Sequence, residues 1–145
     1  DLVRCLQMDE AIVWEILDLL LNRPEELAIA PLPHAVPVLT RLAQEQPLLF
    51  VTARDRPEPI QNWLTQNLPE APPQALKIIA TGDPDAKLAY LQEHDIKYFV
   101  EDRLETCLQL ARHGIQPLLF DQPWNRRPHS FPILYSWHDL AELIF

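Results

Sequence analysis

The chain of 145 residues is acidic, with 21 Asp and Glu against 12 Lys and Arg, and 48% of its residues are hydrophobic. This length and apolar content suit one globular domain with a hydrophobic core. The net charge of −9 argues against a nucleic-acid polymer as partner, because proteins that bind such polymers carry basic surfaces. No apolar run reaches the roughly 20 residues that a membrane-spanning helix needs.

Glycine, cysteine and histidine usage narrows the class of protein further. Gly82 and Gly114 are the only glycines, which excludes a glycine-rich phosphate-binding loop. Cys5 and Cys107 lie far apart, and the first ten residues (DLVRCLQMDE) lack the pattern of a secretory signal. We therefore expect a cytoplasmic protein with two reduced thiols. The five histidines show no short metal-ligand spacing, so no zinc site is predicted.

The first third of the chain contains two predicted helices. Apolar residues at helical spacing predict a helix from Asp9 to Leu21, with Asp9 as its N-cap. Residues 22–33 (NRPEELAIAPLP) form a proline-bearing connection. A second helix is predicted over His34–Gln44.

From residue 47 onward, short apolar runs alternate with amphipathic segments. Strands are predicted at 47–53, 76–82, 96–101 and 115–121. A helical pattern follows each strand, and Gly114 stands where the third of these helices should end. All-apolar strands alternating with helices indicate an α/β fold with a mainly parallel sheet, covered by helices on both faces.

Polar residues cluster at the carboxyl ends of the predicted strands, where ligand sites form in such sheets. They are Thr52–Arg54, Gly82–Asp85, Glu101–Asp102 and Asp121–Asn125. Several have plainer explanations. The Thr52 hydroxyl can bond to nearby backbone, Lys87 on the following helix can be solvated, and Asp102 with Glu105 can form a capping box.

The adjacent acids Glu101 and Asp102 are not explained by a capping box, which needs one acid at the cap. Neighbouring carboxylates raise each other's pKa unless they share a cation. Mg²⁺ would supply that charge through oxygen ligands. A phosphate beside the metal could then contact Lys87 and Thr52, which fits phosphoryl chemistry.

The order of these segments resembles motifs II, III and IV of the haloacid dehalogenase-like (HAD) phosphatase superfamily. The matching segments are VTAR, DAKLAYL, FVEDRLETCLQLARHGI and LLFDQPWNR, within about residues 31–126. They are most similar to the 5′-nucleotidase and deoxyribonucleotidase-like branch. The resemblance implies a Rossmann-like three-layer core over residues 31–145 and part of a small helical cap over residues 1–30.

The resemblance also implies roles for individual residues. Thr52 would bind the transferred phosphate, and Lys87 would neutralise charge on the phosphate and the nucleophile. Asp102 would be the carboxylate of the Mg²⁺ site, with Glu101 a ligand through water or a supporting group. Further substrate contacts are expected from Ala53, Arg54 and Asn125.

The family needs one more motif, a strand followed by Asp-x-Asp. Its first Asp attacks phosphorus and its second acts as general acid and base. The only similar segment, Asp83-Pro-Asp85, follows the Thr52 motif and is better explained as helix capping. In this family the strand that carries this motif lies between the strands of motifs II and IV. The resemblance therefore implies a further strand between those of Thr52 and Glu101, encoded by roughly 30–40 residues ahead of Asp1.

Two functions remain open. The first is a Mg²⁺-dependent phosphatase acting on a small phosphate monoester, with nucleotides among the candidates, provided that the missing motif lies upstream; the 145-residue chain alone would be inactive. The second is a non-catalytic HAD-fold protein that binds a phosphate ligand or a partner. Its apolar contacts could come from Trp14, Trp63, Trp124 and Trp137.

Two other classes fit less well. A response-regulator receiver has its acid pair first in the chain, whereas here the acids come last. A purely structural module leaves Glu101–Asp102 unexplained. The oligomeric state stays open.

Overall fold

The computed structural model of the protein describes residues 8–145, which form an α/β fold. Its helices and strands are α1 (Glu10–Asn22), α2 (Ala35–Glu45), β1 (Leu48–Thr52), α3 (Glu58–Asn67), β2 (Leu76–Ala80), α4 (Lys87–Glu93), β3 (Tyr98–Glu101), α5 (Leu104–Arg112), β4 (Gln116–Phe120), β5 (Ile133–Leu134) and α6 (Trp137–Ile144). The predicted helices and strands are all present. Among the described helices, none has both the length and the apolar character that a membrane crossing requires.

Local side-chain bonds explain where several elements begin and end. Asp9 caps α1 by accepting a hydrogen bond from the Ala11 N–H, as predicted. Asp83 likewise accepts a hydrogen bond from the Asp85 N–H and is the N-cap of a short 3₁₀ turn, which confirms the predicted capping role of this segment. Gly114 follows the end of α5 with a φ of +78°, a left-handed conformation that glycine adopts without a Cβ clash.

The strands form two parallel sheets. β1 pairs with β2 in a register from Leu48–Leu76 to Thr52–Ala80. β3 pairs with β4, and β4 pairs with the two-residue strand β5. The sequence did not predict β5, because two residues are too few to show a strand pattern. Within residues 8–145, no ladder joins β1 to β3.

The two sheets share the same helix layers, with α2, α3 and α6 on one face and α4 and α5 on the other. On the second face, Val51 of β1 and Phe99 of β3 pack into one cluster with Leu110 of α5. On the first face, α2 packs against both sheets, because Ala43 lies in the cluster around β1 and β2, whereas Val38 lies in the cluster with β4. This three-layer arrangement confirms the predicted Rossmann-like α/β architecture.

Helix α1 lies outside this core. Of its apolar residues, Val13 is buried, whereas Ile12 and Ile16 are 48% and 40% exposed. Two long-range bonds attach the segment: Arg54 Nη1 donates to the Leu21 carbonyl, and Trp63 Nε1 donates to the Ile29 carbonyl at 2.8 Å. The amphipathic pattern predicted α1 correctly. Most of the apolar face of α1 is nevertheless exposed in the structure.

Candidate functional site

A cavity of about 280 Å³ lies between β1 and β3 and reaches the carboxyl end of β3. Its walls come from both sheets and from the helices that cover them. The lining residues are Leu32, Val51, Lys87, Phe99, Val100, Glu101, Asp102, Phe120 and Trp137. Three of the predicted site residues, Lys87, Glu101 and Asp102, thus face one cavity.

Lys87 and Glu101 form a buried ion pair in this cavity. Lys87 Nζ donates to Glu101 Oε2 at 2.6 Å, and the two side chains are only 12% and 3% exposed. Lys87 begins α4, which follows β2, whereas Glu101 ends β3. The pair therefore links the carboxyl ends of the two sheets across the cavity.

The second Glu101 oxygen organises the turn after β3. Oε1 accepts hydrogen bonds from the backbone N–H of Asp102 at 3.0 Å and of Arg103 at 3.1 Å. Helix α5 has Arg103 at its N-cap, without a side-chain cap bond. The predicted capping box between Asp102 and Glu105 is therefore wrong, because the Glu101 carboxylate accepts from the backbone N–H groups at this turn instead.

Asp102, the residue directly after β3, also lines the cavity. The residue is exposed overall, yet partial burial of its carboxyl, together with a hydrogen bond and the negative charge of Glu101, raises the pKa of Asp102. The positive charge of Lys87 lowers the pKa of Asp102 and offsets only part of this increase. No basic side chain in the described residues forms a salt bridge with Asp102.

The predicted phosphate-binding segment follows β1. Thr52 ends the strand directly after the cavity residue Val51, and its Oγ1 accepts a long bond of 3.3 Å from the Arg54 N–H. The Thr52 hydroxyl proton is not used in that bond. Ala53, the next residue, is exposed. The Arg54 guanidinium turns toward α1, where it donates to the Leu21 carbonyl, and burial lowers its pKa.

Asn125 lies behind the site. It is 2% exposed, and its Nδ2 donates to the backbone carbonyls of Asp102 at 2.7 Å and Phe120 at 2.8 Å. The structure thus brings Asn125 to the backbone of Asp102, and its predicted contact with substrate stays a prediction.

The carboxylates that line the cavity, Glu101 and Asp102, are the groups that could hold Mg²⁺. No group of three or more His, Cys, Asp or Glu side chains that could hold a metal occurs in residues 8–145. Mg²⁺ is, however, often bound through one or two carboxylates, with waters and phosphate completing its shell. Asp102 fits as one such ligand because its charge has no salt-bridge partner among the described residues. Glu101 already accepts three bonds, and its predicted role in the metal site stays a prediction.

Of the apolar walls of the cavity, the sequence interpretation named Trp137 as a candidate contact and missed the other residues. Leu32, Phe120 and Trp137 come from three separate segments. Each belongs to an ordinary apolar pattern, so no local signal distinguishes these residues from the rest of the core. Only the packing of α2 and α6 against the sheets brings them to the cavity.

Cys107 of α5 lies beside the acids and should be chemically inert in the folded protein. It is 0% exposed, and burial, reinforced by the charges of Glu101 and Asp102, raises its pKa to about 12. Because the thiolate is the reactive form, we expect iodoacetamide at pH 8 to leave Cys107 unmodified until urea unfolds the protein. Mass spectrometry of the Cys107 peptide measures this; rapid alkylation of the native protein would contradict the described burial.

Comparison with known proteins gives two relatives. A nucleotidase of Clostridium acetobutylicum is 29% identical over 109 residues, which cover 74% of this chain and 55% of that protein. A putative nucleotidase of Oceanobacillus iheyensis is 28% identical over 97 residues, which cover 66% of this chain and 50% of that protein. The chain thus spans about half the length of the curated relatives it matches. No family model and no solved structure matches it.

Proposed function

We propose that the chain forms the phosphate- and metal-facing part of a Mg²⁺-dependent phosphatase of the HAD type, acting on a small phosphate monoester such as a nucleotide. The observation that carries this proposal is that the Lys87–Glu101 ion pair and Asp102 line one cavity at the carboxyl ends of parallel strands. Two relatives named nucleotidase support the substrate class.

Each residue has a distinct part in binding. Glu101 fixes the Lys87 ammonium, which retains two further N–H donors for phosphate oxygens. Thr52 Oγ1 accepts a bond from the Arg54 N–H and still has its hydroxyl proton, which it would donate to the same phosphate. Asp102 would bind Mg²⁺, which supplies positive charge to the phosphate oxygens as charge develops there.

The nucleophile would come from a strand outside residues 8–145. β1 and β3 each have a ladder partner on only one side within those residues, and the cavity lies between them. Unpaired backbone groups in such a position are costly. A parallel strand inserted there would present an Asp-x-Asp turn beside Lys87 and Asp102. The first Asp would attack phosphorus, and the second would protonate the departing ester oxygen.

The segment around α1 has a part in the same proposal. Its exposed apolar residues and its attachment through Arg54 fit a fragment of a small cap over the site. Such a cap would select the substrate. Residues 1–7 of the predicted cap segment lie outside the described residues.

The test is an assay of the full-length gene product. Nucleoside monophosphates and other phosphate esters would be incubated with the protein in the presence of Mg²⁺ or of EDTA. We expect inorganic phosphate release that requires Mg²⁺ for at least one ester. Release from none of them, despite an Asp-x-Asp strand encoded upstream, would refute the catalytic proposal.

The coding sequence upstream of residue 1 separates the two open functions. An apolar strand followed by Asp-x-Asp would favour the phosphatase. Its absence would favour a protein that binds a phosphate ligand without turnover, in which Trp137 already lines the cavity.

A further inference from the structure

Asn125 is a buried amide with all of its polar side-chain atoms engaged. Its Oδ1 accepts a bond of 3.1 Å from the Gln122 N–H, which closes the turn after β4. Both Nδ2 hydrogens are used, one on the carbonyl of Phe120 at the end of β4 and one on the carbonyl of Asp102. The bond to Asp102 spans 23 residues of sequence.

This last bond exceeds what the turn itself needs. The Gln122 bond closes the loop locally, and the Phe120 bond ties the loop to its own strand. The Asp102 bond instead ties the end of β4 to the turn after β3. A residue whose only task was to form the loop would not need that third contact.

The backbone of Asp102 is consequently fixed on both sides. Its N–H donates to Glu101 Oε1 at 3.0 Å, and its carbonyl accepts from Asn125 Nδ2 at 2.7 Å. Asp102 lines the cavity, and its carboxyl group makes no salt bridge within the described residues. Main-chain restraint with an available carboxylate is what a preorganised cation ligand requires.

We propose that Asn125 is a positioning residue that holds the Asp102 carboxylate in place for a divalent cation. The inference rests on the proposed function, in which Asp102 is the metal ligand. Outer partners that orient a metal ligand commonly change metal affinity or activity by about 10- to 100-fold when removed. Asn125 would do so through the backbone, by its bond to the Asp102 carbonyl.

The experiment measures metal binding directly, on the full-length protein. Binding of Mn²⁺, a spectroscopic substitute for Mg²⁺, is followed by electron paramagnetic resonance for the wild type and for Asn125→Ala. Far-UV circular dichroism and thermal melts establish that each sample is folded at the measuring temperature. We expect Asn125→Ala to weaken Mn²⁺ binding about 10-fold or more, and excess Mg²⁺ to restore phosphate release toward the wild-type rate.

Asn67→Ala is the matched control. Asn67 also donates its amide to a backbone carbonyl, that of Trp63, at 2.8 Å, but on helix α3 and without a bond to the cavity residues. This variant should lower the melting temperature and leave the Mn²⁺ dissociation constant unchanged. If Asn125→Ala fails to fold, Asn125→Ser, which keeps a short polar side chain, takes its place in the comparison.

The outcomes separate this inference from the function on which it rests. Folded Asn125 variants that bind Mn²⁺ as tightly as the wild type would overturn the positioning role, even if the wild type is an active phosphatase. Weakened Mn²⁺ binding in these variants, with a wild type that releases no phosphate, would support the positioning role and reject the enzyme. A wild type that binds neither Mn²⁺ nor Mg²⁺ would reject both.

Discussion

Replacing Asp102 by Asn in the full-length protein is expected to reduce Mg²⁺-dependent phosphate release by about 10³-fold or more. The amide keeps the volume of the carboxyl group but removes the charge that would bind the cation. Loss of a metal that contributes several kcal/mol of transition-state stabilisation corresponds to roughly this factor. Initial rates across a Mg²⁺ titration measure the effect, and turnover equal to that of the wild type would exclude Asp102 from the metal site.

The stability of Asp102→Asn shows whether the loss is functional or structural. Because the folded state raises the pKa of Asp102, ionisation of this group opposes folding at pH values above its folded pKa. Below the unfolded pKa both states are protonated and the penalty disappears. Without metal, we therefore expect the Asn variant to be at least as stable as the wild type at pH 7, with little difference near pH 3.

Asp83→Asn is the control for charge. Asp83 is exposed and caps the 3₁₀ turn before α4, and Asn is an equally good cap. Its activity should stay within about twofold of the wild type, since surface substitutions of this kind change little. Loss of activity in Asp83→Asn but not in Asp102→Asn would reverse the assignment and point to the Asp83-Pro-Asp85 segment.

Replacing Lys87 by Met should destabilise the protein by about 3–5 kcal/mol, the typical cost of leaving one member of a buried ion pair without its partner. Glu101 is 3% exposed at its side chain, so without Lys87 its carboxylate would keep two backbone N–H partners but no cation. Urea unfolding measures the free energy, and phosphate release should fall as well because the phosphate loses a cation. The double variant Lys87→Met/Glu101→Gln should recover most of the lost stability, since no buried charge then remains.

Lys97→Met is the matched control for this substitution. Lys97 pairs with Asp95, but the two side chains are 66% and 85% exposed, and such surface pairs contribute at most about 1 kcal/mol. If Lys87→Met destabilises no more than Lys97→Met, water reaches the Lys87–Glu101 pair and the described burial is incorrect.

The sequence predicted the order and type of the main elements because burial of one or both faces imposes a local repeat. Leu48–Thr52 has the continuous apolar pattern of a strand covered on both sides, and Leu104 and Cys107, three residues apart, mark the buried face of α5. Leu108 was expected on the same face but is 43% exposed, whereas Leu110 is buried. Where the repeat was too short, as in β5, the prediction missed the element.

The sequence also indicated which end of the strands the candidate site residues share. In a parallel arrangement the residues that follow each strand lie at the same edge, which brought attention to Thr52, Lys87 and Asp102. The roles of neighbouring side chains were harder to separate, since Glu101 and Asp102 look equivalent in the sequence. In the structure, Glu101 is committed to Lys87 and to two backbone N–H groups, whereas Asp102 faces the cavity.

By itself, then, the sequence determined the α/β class, the order of the main helices and strands along the chain, and the edge at which the polar residues gather, because each follows from local periodicity and chain direction. Only the tertiary structure decided that Lys87 reaches Glu101 across 14 residues and that Asn125 reaches Asp102 across 23. It also decided that β1 and β3, which share no ladder within the described residues, line one cavity. Contacts between distant segments depend on how helices pack over the sheets, which no local pattern encodes.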